Sequence, residues 1–155
     1  MAQDLDPGAL KLVVFRLLKE EFAASIEGVS EILRPQRLTR MPRVPNYVLG
    51  VMNLRGKVFP VIDLKRRLGL AVAPHDTRTR VMVVETLGEQ IGLVVDEVVE
   101  VLRAPVAAME EAPSLTENVT RDYLRGVVAR QERMILMLDL ERILKPLEAV
   151  EAALP

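Results

Sequence analysis

The segment 12–34, LVVFRLLKEEFAASIEGVSEILR, aligns without gaps on the segment 81–103, VMVVETLGEQIGLVVDEVVEVLR. Farther along the chain, 50–68 (GVMNLRGKVFPVIDLKRRL) aligns on 126–144 (GVVARQERMILMLDLERIL), again without gaps. Self-similarity of this kind is the sequence signature of a repeated structural unit. The sequence therefore predicts two related halves that fold into two similar small units.

Within each half the apolar residues alternate with a period of two and are rich in β-branched side chains, which is typical of strands. A first strand starts near Leu10, and after a short turn at residues 18–21 a second strand starts at Phe22, as its counterpart does at Ile91. Third strands are predicted at 29–33 and 98–102. Hairpins follow at 50–62 and 126–138. Each half is thus expected to contain five short strands.

Each hairpin ends in an aspartate followed by two leucines four residues apart, at Asp63 and at Asp139. An aspartate side chain accepts hydrogen bonds from the free N–H groups of a first helical turn, and residues four apart share one helix face. We therefore predict a short helix after each hairpin, the second one extending to about Ala152 despite Pro146.

The predicted fold is all-β with short helices, in which each half closes into a small five-stranded barrel, and a C-terminal helix follows the second barrel. Closure would remove the strand edges that otherwise promote aggregation. We expect one domain at 10–147, made of two subdomains at approximately 10–70 and 79–147, with tails at 1–9 and 148–155. The repeat leaves open whether equivalent strands are exchanged between the two barrels.

Composition excludes several classes of protein. The 155 residues include no cysteine, so disulfides and thiolate sites are absent, and the formal net charge of −1 argues against nonspecific nucleic-acid binding. No apolar run approaches the roughly 18–20 residues of a membrane span. The first residues lack the pattern of a signal peptide, so we expect a cytoplasmic protein.

The two halves differ most at the tip of the hairpin. The first half has Asn53, Leu54, Arg55 and Gly56 there, whereas the second has Ala129, Arg130, Gln131 and Glu132. Arg55 is either a solvated residue of an ordinary turn or an anchor in an interface, where arginine is over-represented. The residues alone leave both interpretations open.

The stretch 44–64, VPNYVLGVMNLRGKVFPVIDL, resembles the signature of the CheW family of chemotaxis coupling proteins, in which a proline and an aromatic residue precede GxxNLRGxxxPxxDL. Three further segments are similar to that family: Glu20–Ile32, Gly92–Asp96 and Tyr123–Gly126. The resemblance runs from about Leu10 to about Leu147. It implies two SH3-like five-stranded barrels, in agreement with the internal repeat.

The resemblance also implies a function, which is that of a non-catalytic adaptor. Such proteins link the cytoplasmic tips of chemoreceptors to the regulatory domain of a CheA-type histidine kinase, and they work in receptor arrays near the membrane. The partner-binding positions carried over from the family are Val29, Glu31, Ile32, Asn53, Leu54 and Arg55. The family's glycines fall on Gly50, Gly56, Gly92 and Gly126, where we expect them to serve backbone shape.

Enzymatic functions find little support in the residues. The single histidine, His75, lies in a polar linker, so neither a histidine dyad nor a metal site is expected, and no cofactor is predicted. The Gly50–Lys57 segment superficially resembles a phosphate loop. However, it has one residue too many between its glycines and Val58 where a magnesium-binding hydroxyl is required.

The main alternative is a small β-barrel that binds single-stranded nucleic acid through stacked aromatic residues on a basic face. Its one supporting feature is the run 34–43, RPQRLTRMPR, whose arginines recur every three residues. This run also fits an extended, proline-bounded loop that is solvated or faces an acidic partner. The sequence leaves the signalling pathway open among swimming, gliding and pilus systems.

Overall fold

The computed structural model describes residues 9–86, 88–111 and 121–147, which form eleven strands and two short helices. The bounds are β1 Ala9–Leu17, β2 Glu20–Ser25, β3 Val29–Leu33, β4 Val48–Leu54, β5 Lys57–Asp63, α1 Leu64–Arg67, β6 Arg80–Thr86, β7 Glu89–Val95, β8 Glu97–Pro105, β9 Met109–Glu110, β10 Leu124–Arg130, β11 Arg133–Leu138 and α2 Leu140–Leu144. The all-β prediction with short helices is confirmed.

The strands form two sheets, and each sheet takes strands from both sequence halves. Barrel 1 has the order β8-β1-β2-β11-β10-β9, and barrel 2 has the order β3-β6-β7-β5-β4. The first hairpin of each half therefore joins the third strand and the second hairpin of the other half. The exchange of equivalent strands, which the repeat left open, is the arrangement in this structure.

Parallel pairing joins the two halves inside each barrel. In barrel 1, β11 runs parallel to β2, with Leu136 opposite Phe22, and in barrel 2, β5 runs parallel to β7, with Ile62 opposite Leu93. The remaining ladders are antiparallel. Because neighbouring strands come from different halves, neither barrel can form from one half alone.

In each barrel, the segment that follows the third strand of a half pairs with the strand at the opposite edge of the sheet. After β8, which is one edge of barrel 1, a 3₁₀ turn at Val106–Ala108 brings the chain to the other edge, where β9 pairs with β10. In barrel 2 the chain that leaves β3 pairs through Thr39 with Val51 of β4. Both sheets thus curl until their edges meet, as closed barrels require.

Two glycines allow this closure at repeat-equivalent positions. A Cβ atom on Gly50 would lie 2.5 Å from the carbonyl oxygen of Thr39, and one on Gly126 would lie 2.5 Å from that of Glu110. Such distances are far below van der Waals contact, so any side chain would push the closing strand away. In the sequence these two positions stand out only because both are glycine in the alignment of the two halves.

Three apolar clusters fill the molecule. One lies inside barrel 1 and a second inside barrel 2, whereas the largest lies between the barrels and includes both helices. On β1 the alternation is clear, since Leu12 and Val14 face the interior of barrel 1 while Val13, Phe15 and Leu17 face the central cluster. The strand is buried on both faces, which explains its nearly continuous apolar sequence.

The structure corrects several predicted boundaries. The first turn is only two residues long, because Leu17 pairs with Glu20, so β2 and β7 begin two residues earlier than Phe22 and Ile91. The helix predicted to reach Ala152 ends at Leu144 and is followed by a 3₁₀ turn at Lys145–Leu147. Pro146 has no N–H to continue the helical hydrogen bonds. Residues 148–155 lie outside the described residues.

The predicted helix caps are confirmed. Asp63 Oδ1 accepts from the backbone N–H of Lys65 at 3.1 Å and of Arg66 at 3.4 Å, and Asp139 Oδ1 accepts from that of Arg142 at 3.2 Å. These bonds satisfy donors that a helix leaves unpaired in its first turn.

The cap geometry predicts a difference between two substitutions of Asp63. Asp63→Asn should be nearly neutral because the amide oxygen also accepts these bonds, whereas Asp63→Ala should cost about 0.5–2 kcal/mol of unfolding free energy. Urea denaturation of both variants measures the difference. Equal destabilisation by the two substitutions would show that the negative charge, rather than the cap, is what matters.

An ion pair between buried Lys65 and partly exposed Asp96 fixes α1 to the end of β7 and to the first turn. Lys65 is 2% exposed, and its Nζ lies 2.5 Å from Asp96 Oδ1, while Asp96 Oδ2 accepts from the backbone N–H of Leu18 at 2.7 Å. Asp96 belongs to a segment that resembles the family pattern, but nothing in the sequence indicated that Lys65 is its partner. The repeat counterparts of the pair, Glu141 and Glu27, are both acidic.

Removal of one member of this pair should destabilise the protein more than removal of both. We expect Asp96→Asn to cost about 2–3 kcal/mol because it leaves Lys65 buried without a counter-charge, and Lys65→Met combined with Asp96→Asn to recover most of that loss. Glu27→Gln, at the exposed counterpart of Asp96, should change stability by less than about 0.5 kcal/mol. Urea denaturation of wild type and these three variants provides the test, and a double variant no more stable than Asp96→Asn would contradict the expectation.

Candidate functional site

The candidate site lies where the two edges of barrel 2 meet. Arg55 at the tip of the β4–β5 hairpin reaches across to Glu31 on β3, with Nη2–Oε2 at 2.6 Å and Nη1–Oε1 at 3.3 Å. The two strands stand at opposite ends of the sheet order, so this two-pronged ion pair spans the seam of the barrel. Two residues that the family resemblance assigned to the site are thus in direct contact.

The hairpin turn holds Arg55 in a defined direction. Its φ is +51° and that of Gly56 is +86°, the pattern of a turn whose twist matches the flanking strands. Asn53 Oδ1 accepts from the backbone N–H of Gly56 at 3.1 Å, which fixes the turn from inside. Asn53 was predicted as a partner-binding residue, and here its side chain shapes the turn that presents Arg55.

The ion pair is strong in geometry but open to solvent. Hydrogen bonding from Arg55 lowers the pKa of Glu31, partly opposed by desolvation, and the same bond raises the pKa of Arg55. The side chain of Arg55 is 70% exposed and that of Glu31 is 30% exposed. A bidentate pair of this kind keeps both charges in place while leaving most of the guanidinium available to a partner.

The apolar members of the predicted site divide into two groups. Val29 packs against the central cluster and Leu54 against the interior of barrel 2, so both are partly buried. Ile32 is 41% exposed on the edge strand β3. Among these apolar residues only Ile32 offers a large surface to solvent, and it follows Glu31 on the same edge strand with its side chain on the opposite face.

Barrel 1 carries a different arrangement at the equivalent place. Glu100, the counterpart of Glu31, binds Arg133 at 2.7 Å, and Arg133 also binds Glu21 through two bonds of 2.8 and 3.2 Å. These bonds raise the pKa of Arg133. The seam of this barrel is spanned instead by Arg130, whose Nη1 donates to the carbonyl oxygen of Arg103 at 2.7 Å.

The two seams therefore differ although the barrels are related by sequence. In barrel 1 the third-strand glutamate is held by a strand residue, whereas in barrel 2 it is held by the hairpin tip. The positions equivalent to Arg133 and Glu21 are Lys57 and Gln90, and they line an open groove near the β6–β7 turn. The molecule thus presents two unlike faces.

Sequence reasoning missed a cluster at the junction of the barrels. The guanidinium carbon of Arg67 lies 5.3 Å from the ring centre of Tyr47 and 4.8 Å from that of Tyr123. Its Nη1 donates to the Tyr123 hydroxyl at 2.8 Å and its Nε to the carbonyl oxygen of Ile143 at 2.9 Å. Extending the second repeat alignment by three residues would have paired Tyr47 with Tyr123, but not revealed the arginine between them.

The glycines carried over from the family have distinct surroundings. Gly50 and Gly126 leave room for the backbone segments that close the barrels, and Gly56 occupies the hairpin turn. A Cβ on Gly92 would lie 3.0 Å from methyl groups of Val61 and Val81, inside barrel 2. Each position has a steric or conformational reason that involves no partner.

The structure also bears on metal binding, membrane insertion and nucleic-acid binding. Within residues 9–86, 88–111 and 121–147 there is no cluster of His, Asp or Glu suited to a metal ion, and no helix there is long and apolar enough to cross a membrane. Of the aromatic residues, Phe15, Phe22 and Phe59 are buried, and both tyrosines hold Arg67. No exposed aromatic platform is left for stacking bases, so nothing here supports the nucleic-acid alternative.

Comparisons with known proteins agree on one family. A sequence model described as the CheW-like domain matches residues 11–148. The "Probable chemotaxis protein CheW" of Rhizobium etli is 36% identical over 151 residues, 97% of each chain, and the "Chemotaxis protein CheW" of Rhizobium meliloti is 36% identical over 152 residues, covering 98% of this chain and 97% of that protein. The crystal structure of the scaffolding protein TtCheW from Thermoanaerobacter tengcongensis superposes with a TM-score of 0.82 at 33% identity, covering 88% of this chain and 92% of that one.

The exposed position of the Glu31–Arg55 pair predicts a small, pH-dependent effect on stability. Because its folded pKa is lowered, Glu31 contributes stability that is present above its unfolded pKa and lost as the pH falls through the folded value. Glu31→Ala and Arg55→Ala should each lower the melting temperature by less than about 2 °C at neutral pH. Thermal melts at pH about 7 and about 3 should show the difference from wild type disappearing in acid, and a larger loss in acid would contradict the assignment.

Proposed function

This chain belongs to the CheW family, and from that premise we propose that it is a non-catalytic adaptor that couples chemoreceptor tips to a CheA-type histidine kinase. The family match covers nearly the whole chain and accounts for both barrels. The role of a chemotaxis coupling adaptor follows from the family. The identity of the two partners, and the residues that meet them, are our proposal.

The observation that carries the proposal is the preformed Glu31–Arg55 pair at the seam of barrel 2, on an edge strand that also exposes Ile32. Exposed apolar residues and fixed charges are both common at interfaces, because apolar burial supplies affinity and the charges supply orientation. The pair is already assembled in the free protein, so a partner would not have to order a flexible arginine. We propose that this surface, formed by β3 and the β4–β5 tip, contacts the cytoplasmic tip of a chemoreceptor.

An adaptor needs a second contact surface, and barrel 1 provides a suitable one. Val101, Val106 and Met134 are all large apolar residues that are about half exposed on that barrel. Val101 is the repeat counterpart of Ile32, which makes the two surfaces related but chemically different. We propose that apolar residues of this kind take part in contact with the regulatory domain of the kinase.

The location of the protein follows from these partners. Receptor tips and the kinase meet in the cytoplasm, and an adaptor bound to both is held in receptor arrays near the membrane. The output of the pathway, whether swimming, gliding or pilus movement, depends on which receptors and kinase the cell supplies.

The proposal predicts that Arg55 acts in binding rather than in folding. Arg55→Ala should weaken binding of a receptor-tip fragment about thirtyfold, as loss of an interface anchor does, with a nearly unchanged melting temperature. Glu31→Ala should act in the same direction. Glu100→Ala, at the matching position of barrel 1, is the control and should have a smaller effect. Unchanged affinity for Arg55→Ala would reject this surface.

Exchanging the charges of Glu31 and Arg55 distinguishes a role of the pair in partner binding from a role in closing barrel 2. The double variant Glu31→Arg with Arg55→Glu preserves the ion pair but reverses the charges that a partner meets. Its melting temperature should return to that of wild type while receptor binding stays impaired. Recovery of binding together with stability would show that the pair matters only for the seam.

The adaptor role itself is tested with the kinase. In a reconstituted mixture of receptor tips and kinase, addition of this protein should raise autophosphorylation, and the protein alone should bind the regulatory domain. Failure to bind any kinase candidate from the same genome would reject the proposed kinase contact, whatever the outcome for the receptor surface.

A further inference from the structure

The charges of this chain are distributed very unevenly along the sequence. Between Glu31 and Asp63 there is no acidic residue, but there are six cationic ones, Arg34, Arg37, Arg40, Arg43, Arg55 and Lys57. Since the net charge of the chain is −1, the remaining residues together carry −7. A local excess of this size creates a positive potential at the surface that the total charge conceals.

Four of these cations lie on one exposed segment, which we call the arginine segment (residues 34–43). The side chains of Arg34, Arg37, Arg40 and Arg43 are all exposed. The structure gives none of them a hydrogen bond or an ion pair among the described residues. They differ in this from Arg16, Arg67 and Arg133, which are held by partners within the barrels.

The segment is fixed to the barrel at Thr39 and ends in a turn at Pro42 and Arg43, where the φ of Arg43 is +58°. Thr39 exchanges two backbone hydrogen bonds with Val51, of 2.9 and 2.8 Å. Leu38 packs against the interior of barrel 2 and Met41 against the central cluster. Apolar side chains thus anchor the segment from below while the arginines between them remain in solvent.

This arrangement resembles a binding strip more than a solvated loop. At no more than about 3.3 Å per residue, the chain from Arg34 to Arg40 can span up to roughly 20 Å, and its arginines recur at every third residue. Fixing the backbone in advance lowers the entropic cost of engaging several groups at once. Guanidinium groups favour carboxylates, which they bind through two parallel hydrogen bonds.

We propose that the arginine segment is a docking strip for an acidic protein segment, one that presents several carboxylates in a row. An acidic protein fits better than nucleic acid because residues 34–43 contain no aromatic side chain on which a base could stack. The segment begins directly after β3, so it extends the surface that carries Glu31 and Ile32. The inference concerns a different set of residues from the receptor contact and stands without it.

The test uses the full chain and a probe that is neither receptor nor kinase. A peptide of ten glutamates is titrated into isotope-labelled protein at low salt, with a peptide of ten glutamines as the uncharged control. The backbone amide signals of residues 34–43 should shift saturably with the glutamate peptide alone. Raising the salt to about 0.5 M should abolish the shifts, because exposed charges are screened.

Two variants of equal net charge distinguish binding at the arginine segment from a general dependence on the net charge of the protein. Arg34→Gln, Arg37→Gln and Arg40→Gln together change the net charge from −1 to −4, as do Lys19→Gln, Arg125→Gln and Lys145→Gln together. The first variant should bind the glutamate peptide about tenfold more weakly, as expected for three exposed ion pairs, and the second should match wild type. Both should melt like wild type.

Three results would overturn the inference. The first is the absence of saturable shifts in wild type, and the second is an equal loss of binding in both variants. The third is tighter binding of a ten-residue oligothymidylate than of the glutamate peptide, dependent on the same arginines, which would indicate a phosphate-binding strip. Because no receptor or kinase is present, failure here leaves the proposed adaptor function to be judged by its own experiments.

Discussion

The central apolar cluster between the barrels is the constraint on which the rest of the structure depends. The hairpins β1–β2 and β6–β7 each turn one face into their own barrel and the other into this cluster, where Phe15 and Phe22 stack with ring centres 6.2 Å apart. Both helices also pack there. A half of this chain is close to the lower size limit for an independent core. The shared cluster and the exchanged strands make the two barrels one folding unit.

Duplication followed by divergence explains how one small chain obtains two unlike surfaces. The seams of the barrels occupy equivalent positions, yet one is spanned by Arg55 and Glu31 and the other by Arg130 and a carbonyl oxygen. At the junction, Arg67 sits between the equivalent tyrosines while its own counterpart, Ile143, is buried. The backbone repeat is retained because glycines and caps demand it. The charges diverge because solvent tolerates either choice.

The sequence alone was informative wherever a local physical rule applied. Period-two alternation located the strands, the aspartates located the starts of both helices, and the family's glycines were correctly expected to serve backbone shape. These features depend on residues that are near in sequence or matched by the repeat. The boundaries that failed, at the starts of β2 and β7 and at the end of α2, depend on hydrogen bonds at the ends of elements, which the apolar pattern does not reveal.

Only the tertiary structure decided which strands pair and which distant side chains are in contact. The repeat is compatible with barrels built from one half or from both, because exchanged and unexchanged strands bury the same side chains, so the alignment cannot distinguish them. For the same reason the sequence placed Glu31 and Arg55 in one site by family resemblance but could not show that they bind each other. Lys65 with Asp96, and Arg67 with Tyr47 and Tyr123, are likewise contacts between distant residues. The sequence determined the elements and their faces, and only folding determined which distant charges and rings meet, because such meetings follow from the path of the chain in space.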